Sequence, residues 1–357
     1  MTVFEIMKQA VRLNASDIFI TVGVSPTLKI QGVLQAVEEA EPLTPSQTEA
    51  FARQLFIKEK DYHAFLDDGE RDFSISLPEI GRFRVNVFNQ RGSVAISIRR
   101  IYTKLPDAAE LGLPDAVIGL SDKLKGLILV TGPTGCGKTT TLAALIDRIN
   151  HNRSCHVLTL EDPIEYLHHH QKSIINQREI GTDTQSYHMA LRAAMRQSPD
   201  VIQIGEMRDL ETVSIALTAA ETGHLVFSTL HTIGAAKTID RIIDVFPPEQ
   251  QQQIRVQLST VLLAVVSQQL IPSEQSVDGR VPAFEVMMVN SAIRNMIREG
   301  KTPQIDGVIQ TNQASGMITM DASLAELYNR KMISGEDALH YCVNHDVMQR
   351  YLKAQTS

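Results

Sequence analysis

Tryptophan is absent from the 357 residues, and all aromatics together make up 5%. Platforms that stack the bases of single strands need such rings, so that role is disfavoured. Nor is there a basic surplus: 34 Lys and Arg stand against 41 Asp and Glu, a net charge of -7. An acidic chain without a long basic block has no global footprint for nucleic acid, and no direct nucleic-acid partner is expected. Cysteine is scarce. Cys136, Cys155 and Cys342 are odd in number, far apart, and form no CxxC pair. Neither a disulfide framework nor a structural zinc site fits them; a reducing cytoplasm does. Long apolar runs are missing as well. The stretches 127–130 and 261–266 fall far short of a spanning helix. No transmembrane segment is expected, and any membrane role should come through partners. The N-terminus is helically patterned, carries Glu5, and lacks the basic start and unbroken apolar core of a signal peptide.

What is present is a chain 43% hydrophobic and 21% charged, the balance of a globular protein with a core. Its length suggests two or three domains. Residues 1–101 read as a small α+β domain. A helix is expected at 3–13 and strands at 17–22, 27–30, 72–77, 82–89 and 93–101, the last two forming a hairpin. Thr44-Pro45-Ser46-Gln47 reads as a helix start, with a capping hydroxyl, Pro in the first turn, and Gln placed to cap back. Residues 102–125 read as a connector or hinge. Over 126–290 apolar strands alternate with helices, the signature of a parallel α/β sheet. The expected strands are 127–131, 156–160, 201–204, 224–229 and 282–289; the expected helices include 139–150, 185–197, 210–222 and 249–270. A helical region, 291–357, ends the chain.

Gly132-Pro133-Thr134-Gly135-Cys136-Gly137-Lys138-Thr139 matches GxxxxGK[ST], after an apolar strand and at the opening of a helix. Glycines let the backbone wrap a phosphate without Cβ clashes. Loop amides and the helix N-terminus then supply fixed positive potential. Lys138 is placed to reach β- and γ-phosphates, and the Thr139 hydroxyl to bind Mg²⁺; Thr140 joins them among the nucleotide-binding residues. This loop alone does not specify hydrolysis, since kinases, switch GTPases and motors share it. The lack of an NKxD-type guanine signature weakens the GTPase reading; the kinase reading stays open.

Three further segments are expected at the ligand edge of the sheet. They are Glu161 to Glu165, Gly205 to Asp209, and 224–232, which ends in Ser228-Thr229-Leu230-His231-Thr232. Carboxylates there can hold Mg²⁺ waters or orient an attacking water, and an imidazole can sense the γ-phosphate.

Together, Thr131 to Ala144, Glu161-Asp162-Pro163-Ile164-Glu165-Tyr166, Gln177 to Gly181, Gly205 to Thr212 and Thr218 to Phe227 resemble the secretion ATPase superfamily. Within it they resemble the retraction motors of type IV pili. Ala15-Ser16-Asp17, the strand Arg82-Phe83-Arg84-Val85-Asn86 and the helix from Ala292 to Glu299 extend the resemblance over nearly the whole chain. It implies a RecA-like P-loop NTPase core, a PAS-like α+β domain before it and helices after it. It implies a homo-hexamer with ATP and Mg²⁺ between subunits, working on an inner-membrane platform protein from the cytoplasmic side. Glu206 would take the Walker B role and share the Mg²⁺ with Thr139; Glu165 would be a general base candidate. His231 and His224 would form a histidine box. Arg82, Arg84 and Arg99 would come from the small domain to neutralise phosphate charge.

Three positions depart from the common pattern: Gly205 where a generic Walker B has Asp, Cys136 where Ser is usual, and Phe19 where many members carry His. Gly205 is shared by the superfamily; Phe19 keeps an accessory retraction paralogue open as an alternative. An assembly or type II secretion ATPase is a further alternative, opposed by the absence of an extra N-terminal domain and a tetracysteine insert. Cys136 has two readings: a tolerated small residue, or a thiol acidified by the helix N-terminus and sensitive to redox. His168-His169-His170 reads as a solvated loop, since no Cys or carboxylate spacing completes a metal site.

Overall fold

The structure, a computed structural model, describes residues 1–353 except 31, 39, 79, 102–104, 106, 277 and 278. The expected connector therefore falls in part, at 102–104 and 106, outside the described residues. The chain divides into two units. One is Met1–Lys104 with Pro163–Leu167; the other is Leu105–Asp162 with His168–Ser357.

Capping boxes open the first two helices. In α1 (Val3–Arg12) the Thr2 hydroxyl accepts from the Glu5 amide, and the Glu5 carboxylate accepts from the Thr2 amide at 2.6 Å. In α2 (Pro45–Leu55) Thr44 and Gln47 make the same exchange, and Pro45 sits where a missing amide costs nothing. α1 buries Val3, Ile6, Met7 and Ala10 along one stripe. Each large side chain buried this way contributes about 1.5–3 kcal/mol.

Strands β1 (Asp17–Ile20), β2 (Thr27–Ile30) and β3 (Val33–Ala36) precede α2, and α3 (Glu59–Asp68) leads into β4 (Glu70–Leu77), β5 (Gly81–Gln90) and β6 (Ser93–Ile101). They form one antiparallel sheet in the order β3-β2-β1-β6-β5-β4. Along β5, Phe83, Val85 and Val87 are fully buried, so Arg82 and Arg84 lie together on the opposite face. β3 and α3 were not expected. Every residue of β3 is exposed, so it has no inward–outward alternation to read.

The second unit begins with a short helix α4 (Asp115–Ile118) and β7 (Gly126–Thr131). Then come α5 (Lys138–Asn152), β8 (His156–Glu161), β9 (Ile174–Glu179), α6 (Tyr187–Ala194), β10 (Val201–Ile204), α7 (Leu210–Glu221) and β11 (Leu225–Leu230). After these run α8 (Ala235–Asp244), α9 (Pro248–Val261), β12 (Leu262–Pro272), β13 (Arg280–Met288) and α10 (Ser291–Glu299). The sheet order is β13-β12-β7-β11-β10-β8-β9, parallel except for the antiparallel pair β12–β13. All six residues of β7 are buried, the pattern of a strand covered on both faces. Leu127 and Leu129 pack on the side of α6 to α10, and Ile128 and Val130 on the side of α4 and α5. Four last helices, α11 (Ile305–Thr311), α12 (Met320–Asn329), α13 (Gly335–Tyr341) and α14 (His345–Lys353), complete the chain. Met320, Leu324, Ala338 and Met348 from this region pack on Ile271 and Ala283 of β12 and β13.

The helix expected at 249–270 is corrected. It stops at Val261, and the chain passes directly into β12. From Leu262 the run is strand: Leu262, Ala264, Val265 and Val266 are buried, and it pairs with β7 and β13. Periodicity cannot separate such an apolar run from a buried helix, whereas its β-branched valines favour a strand.

Candidate functional site

Four parallel strands end within two residues of one another. Leu230 of β11 pairs with Thr131 of β7, Ser228 of β11 with Ile204 of β10, and Ile204 with Leu160 of β8. The phosphate loop, Glu161 and Asp162, Gly205 and Glu206, and His231 therefore gather along one sheet edge, where α/β folds bind ligands.

The loop is shaped against β12. Gly132 has φ +138°, and a Cβ there would lie 2.2 Å from the Gln268 carbonyl oxygen. Gly137 has φ +93°, and its Cβ would lie 2.8 Å from the Gln268 side-chain nitrogen. Gly132 is thus required twice, by backbone angle and by the Gln268 backbone, and Gly137 by its backbone angle. Gln268 is buried, and its Oε1 accepts from the Thr141 hydroxyl at 2.8 Å. The Lys138 ammonium is buried and donates to the Gly132 and Pro133 carbonyls at 2.9 and 3.0 Å. Phosphate oxygens are natural replacements for those carbonyls. Pro133, Thr134 and Gly135 are exposed, while Thr139 and Thr140 stand half-buried in the first turn of α5. The first amides of a helix have no intrahelical acceptor, so this cradle fits a polyphosphate.

Glu206 is half-buried. One of its oxygens meets the Arg208 guanidinium, and the other lies 3.3 Å from His231 Nε2. His231 Nδ1 in turn lies 3.4 Å from the Thr134 hydroxyl. A continuous polar path, Arg208–Glu206–His231–Thr134, joins two strand ends to the phosphate loop. Thr139 and Glu206 are the residues that would hold Mg²⁺. One hydroxyl and one carboxylate, completed by phosphate oxygens and water, make a donor set that suits this ion.

Glu165 is exposed and belongs to the first unit, with Pro163–Leu167. Arg82, Arg84 and Arg99 belong there too. Arg84 and Arg99 are direct cross-strand partners, and like charges so placed repel. Each has an acidic neighbour. Arg84 Nε donates to both Asp72 oxygens at 3.1 and 3.0 Å, and Arg99 Nε to Asp17 at 2.8 Å. Arg82 donates to the Ser76 hydroxyl at 3.1 Å.

One expectation is corrected. His224 does not join His231. It precedes β11, and its carbonyl accepts from the amide of Gly126 at the start of β7. The six residues of β11, roughly 20 Å at ~3.3 Å per residue, lie between the two histidines. The His224 ring caps α7 instead, with Nδ1 2.9 Å from the Ala219 carbonyl. Of the two readings of Cys136, the structure favours the tolerated small residue. Its thiol is 3% exposed, and burial raises its pKa despite Lys138 nearby. An acidified, redox-sensitive thiolate does not fit that setting. Peroxide is therefore expected to inhibit wild type and Cys136→Ser equally, within about twofold in turnover assays. His168-His169-His170 lies in a loop, as read, with His169 and His170 exposed and His168 half-buried, and the tract also makes hydrogen bonds. The His168 amide donates to Gln177, the His169 carbonyl accepts from Asn150, and His170 Nδ1 accepts from the Ile175 amide. Burial pushes the His168 pKa down to about 4.

Gln268, Tyr187 and Arg208 also line or support the site, and none was singled out from sequence. Arg208 lies inside a quoted motif and was the one with a signal. Gln268 was hidden by the helical reading of 249–270.

Residues 2–326 match the family model described as Type II/IV secretion system protein. The type IV pilus retraction ATPase PilT of Pseudomonas aeruginosa is 45% identical over 340 residues, 95% of this chain and 97% of its own. A twitching motility protein of Neisseria gonorrhoeae is 50% identical over 279 residues, 78% of this chain and 74% of its own. Among solved structures, the pilus retraction motor PilT with bound ADP superposes with a TM-score of 0.92 at 47% identity, covering 98% of this chain and 99% of that one.

Proposed function

The chain belongs to the Type II/IV secretion system protein family, and on that premise we propose that it is an ATP-hydrolysing motor that drives retraction of type IV pili, and hence twitching motility. The observation that carries this reading is the polar path from the phosphate loop through His231 to Glu206. It gives the site a means to link the γ-phosphate end of a nucleotide to a candidate base.

On binding ATP, Lys138 exchanges the Gly132 and Pro133 carbonyls for β- and γ-phosphate oxygens. Thr139 and Glu206 would hold Mg²⁺, which when bound would supply positive charge to the phosphate oxygens. His231, in contact with Thr134, responds to the occupied loop. Glu206 leaves Arg208 and orients the attacking water; Glu165 is the second carboxylate for that task. Arg82, Arg84 and Arg99 of a neighbouring copy stabilise charge spread over the γ-phosphoryl oxygens. Copies arranged as a homo-hexamer then convert each cleavage into a rigid-body movement of the small domain, 1–101, about the connector, 102–125, against the ATPase domain, 126–290. No helix among the described residues is long and apolar enough to cross a membrane. In this reading the motor works in the cytoplasm and reaches the inner membrane through the platform protein of the pilus machine.

Deleting the gene tests this reading. Cells are expected to carry excess surface pili and to lose twitching, with recovery by the wild-type gene but not by Glu206→Gln. Loss of surface pili would favour an assembly motor instead, and unchanged pili and twitching would refute the proposal.

A further inference from the structure

Helix α8 begins shortly after His231, and its cap position is Gly234. Gly234 has φ +93°, a backbone angle that favours glycine, and glycine has no side chain with which to cap a helix. The sheet supplies the acceptors instead. The Ser267 hydroxyl of β12 accepts from the Gly234 amide at 3.0 Å, and Glu285 Oε1 of β13 accepts from the Ala235 amide at 2.7 Å. Ser267 and Glu285 are direct cross-strand partners, so both acceptors come from one rung of the ladder.

Glu285 has a second hold. Its Oε2 accepts from the amide of Met320, the first residue of α12, at 3.4 Å. One carboxylate therefore caps two helices, α8 beside the phosphate site and α12 among the last helices of the chain. Glu285 is 5% exposed, and among the described residues the charges that act on it are Asp306 and Asp321, both acidic. A buried carboxylate without a cation beside it is costly, and here two helix N-termini offset that cost.

The segment between His231 and α8 is tied to the same cap. The Thr232 and Thr238 hydroxyls lie 2.7 Å apart, and the Thr238 hydroxyl donates to the Gly234 carbonyl at 2.7 Å. Immediately before Thr232, the His231 ring makes its contacts with Glu206 and Thr134 at 3.3 and 3.4 Å.

We propose that Glu285 is a positioning residue for His231. By capping α8 and α12 together it fixes the start of α8, and through residues 232–234 it fixes the imidazole between Glu206 and Thr134. The seat of the C-terminal helices is thereby transmitted to the nucleotide site. The role rests on the ATPase reading given above.

Glu285→Gln tests it in the full chain. The amide keeps one oxygen acceptor, so one helix loses its cap and meets an NH₂ group instead. The substitution is expected to lower kcat about tenfold, with the KM for ATP kept within about twofold. In the His231→Ala background it should change kcat by less than about twofold, because the residue through which it acts is gone. An equal loss in both backgrounds would overturn the positioning role, and so would wild-type kcat in Glu285→Gln. Should Glu285→Gln fail to fold, Ser267→Ala weakens the same cap by one hydroxyl and enters the same cycle. It is expected to lower kcat about threefold, with the same two contradicting results. Amide hydrogen exchange without nucleotide tests the cap itself. Glu285→Gln should speed exchange about tenfold at Ala235 or Met320 and leave the amides of β10 within about twofold. Unchanged exchange at both would overturn the shared cap. Exchange needs no turnover, so it separates failure of the cap from failure of the ATPase reading.

Discussion

Replacing Glu206 by Gln is expected to lower kcat by about 10²- to 10⁴-fold while ATP affinity stays within about threefold. The substitution keeps the shape of the side chain. An amide oxygen still accepts from Arg208, and the other end still reaches toward His231, so the polar path to Thr134 is disturbed little. What it removes is the negative charge that can take a proton from the attacking water. Affinity rests mainly on other groups, namely Lys138 and the amides of the loop between Gly132 and Gly137. Fluorescent-nucleotide binding and steady-state turnover on the same preparation separate the two effects. Turnover near wild type would remove Glu206 from the chemistry. A matching loss in Glu165→Gln would then move the base to the acidic segment carried with the small unit.

The second large effect is expected from the arginine stripe of the small unit. Arg84→Ala should lower kcat by about 10³-fold, the scale of a charge supplied to a phosphoryl group in flight. It should scarcely move the melting midpoint. The Arg84 side chain is 41% exposed, as is its partner Asp72, and exposed ion pairs contribute about 0–1 kcal/mol. Arg99, 71% exposed and tied to Asp17, offers the matching comparison on the next strand. A drop in thermal stability that tracks the drop in activity would assign these arginines to the fold of the small unit. A drop in kcat alone supports a role at the phosphates.

The parts of this protein that could be read from sequence are those encoded by neighbours in the chain. The Thr44–Gln47 cap is a signal carried within four consecutive residues, and the structure has it. The alternation that puts Arg82 and Arg84 on one face of β5 needs only the period of a strand. The phosphate loop announces itself because its glycines, lysine and threonine are contiguous.

Where contacts come from far along the chain, the sequence was silent or misleading. Gln268 shapes the loop from more than a hundred residues away, within an apolar run that fits a helix as well as a strand. His224 and His231 look like one motif, yet β11 fits between them and sets them at opposite edges of the sheet. Cys136 has the helix start and Lys138 beside it, which suggests an acidic thiol; its burial, invisible in sequence, outweighs both.

The account depends most on the claim that two copies of the chain complete each catalytic site. Turnover per chain, measured across a dilution series alongside sedimentation with Mg²⁺ and ATP, tests it directly. Specific activity should collapse as rings dissociate and return as they reassemble. Constant activity per chain, down to concentrations where the protein sediments as a monomer, would contradict it.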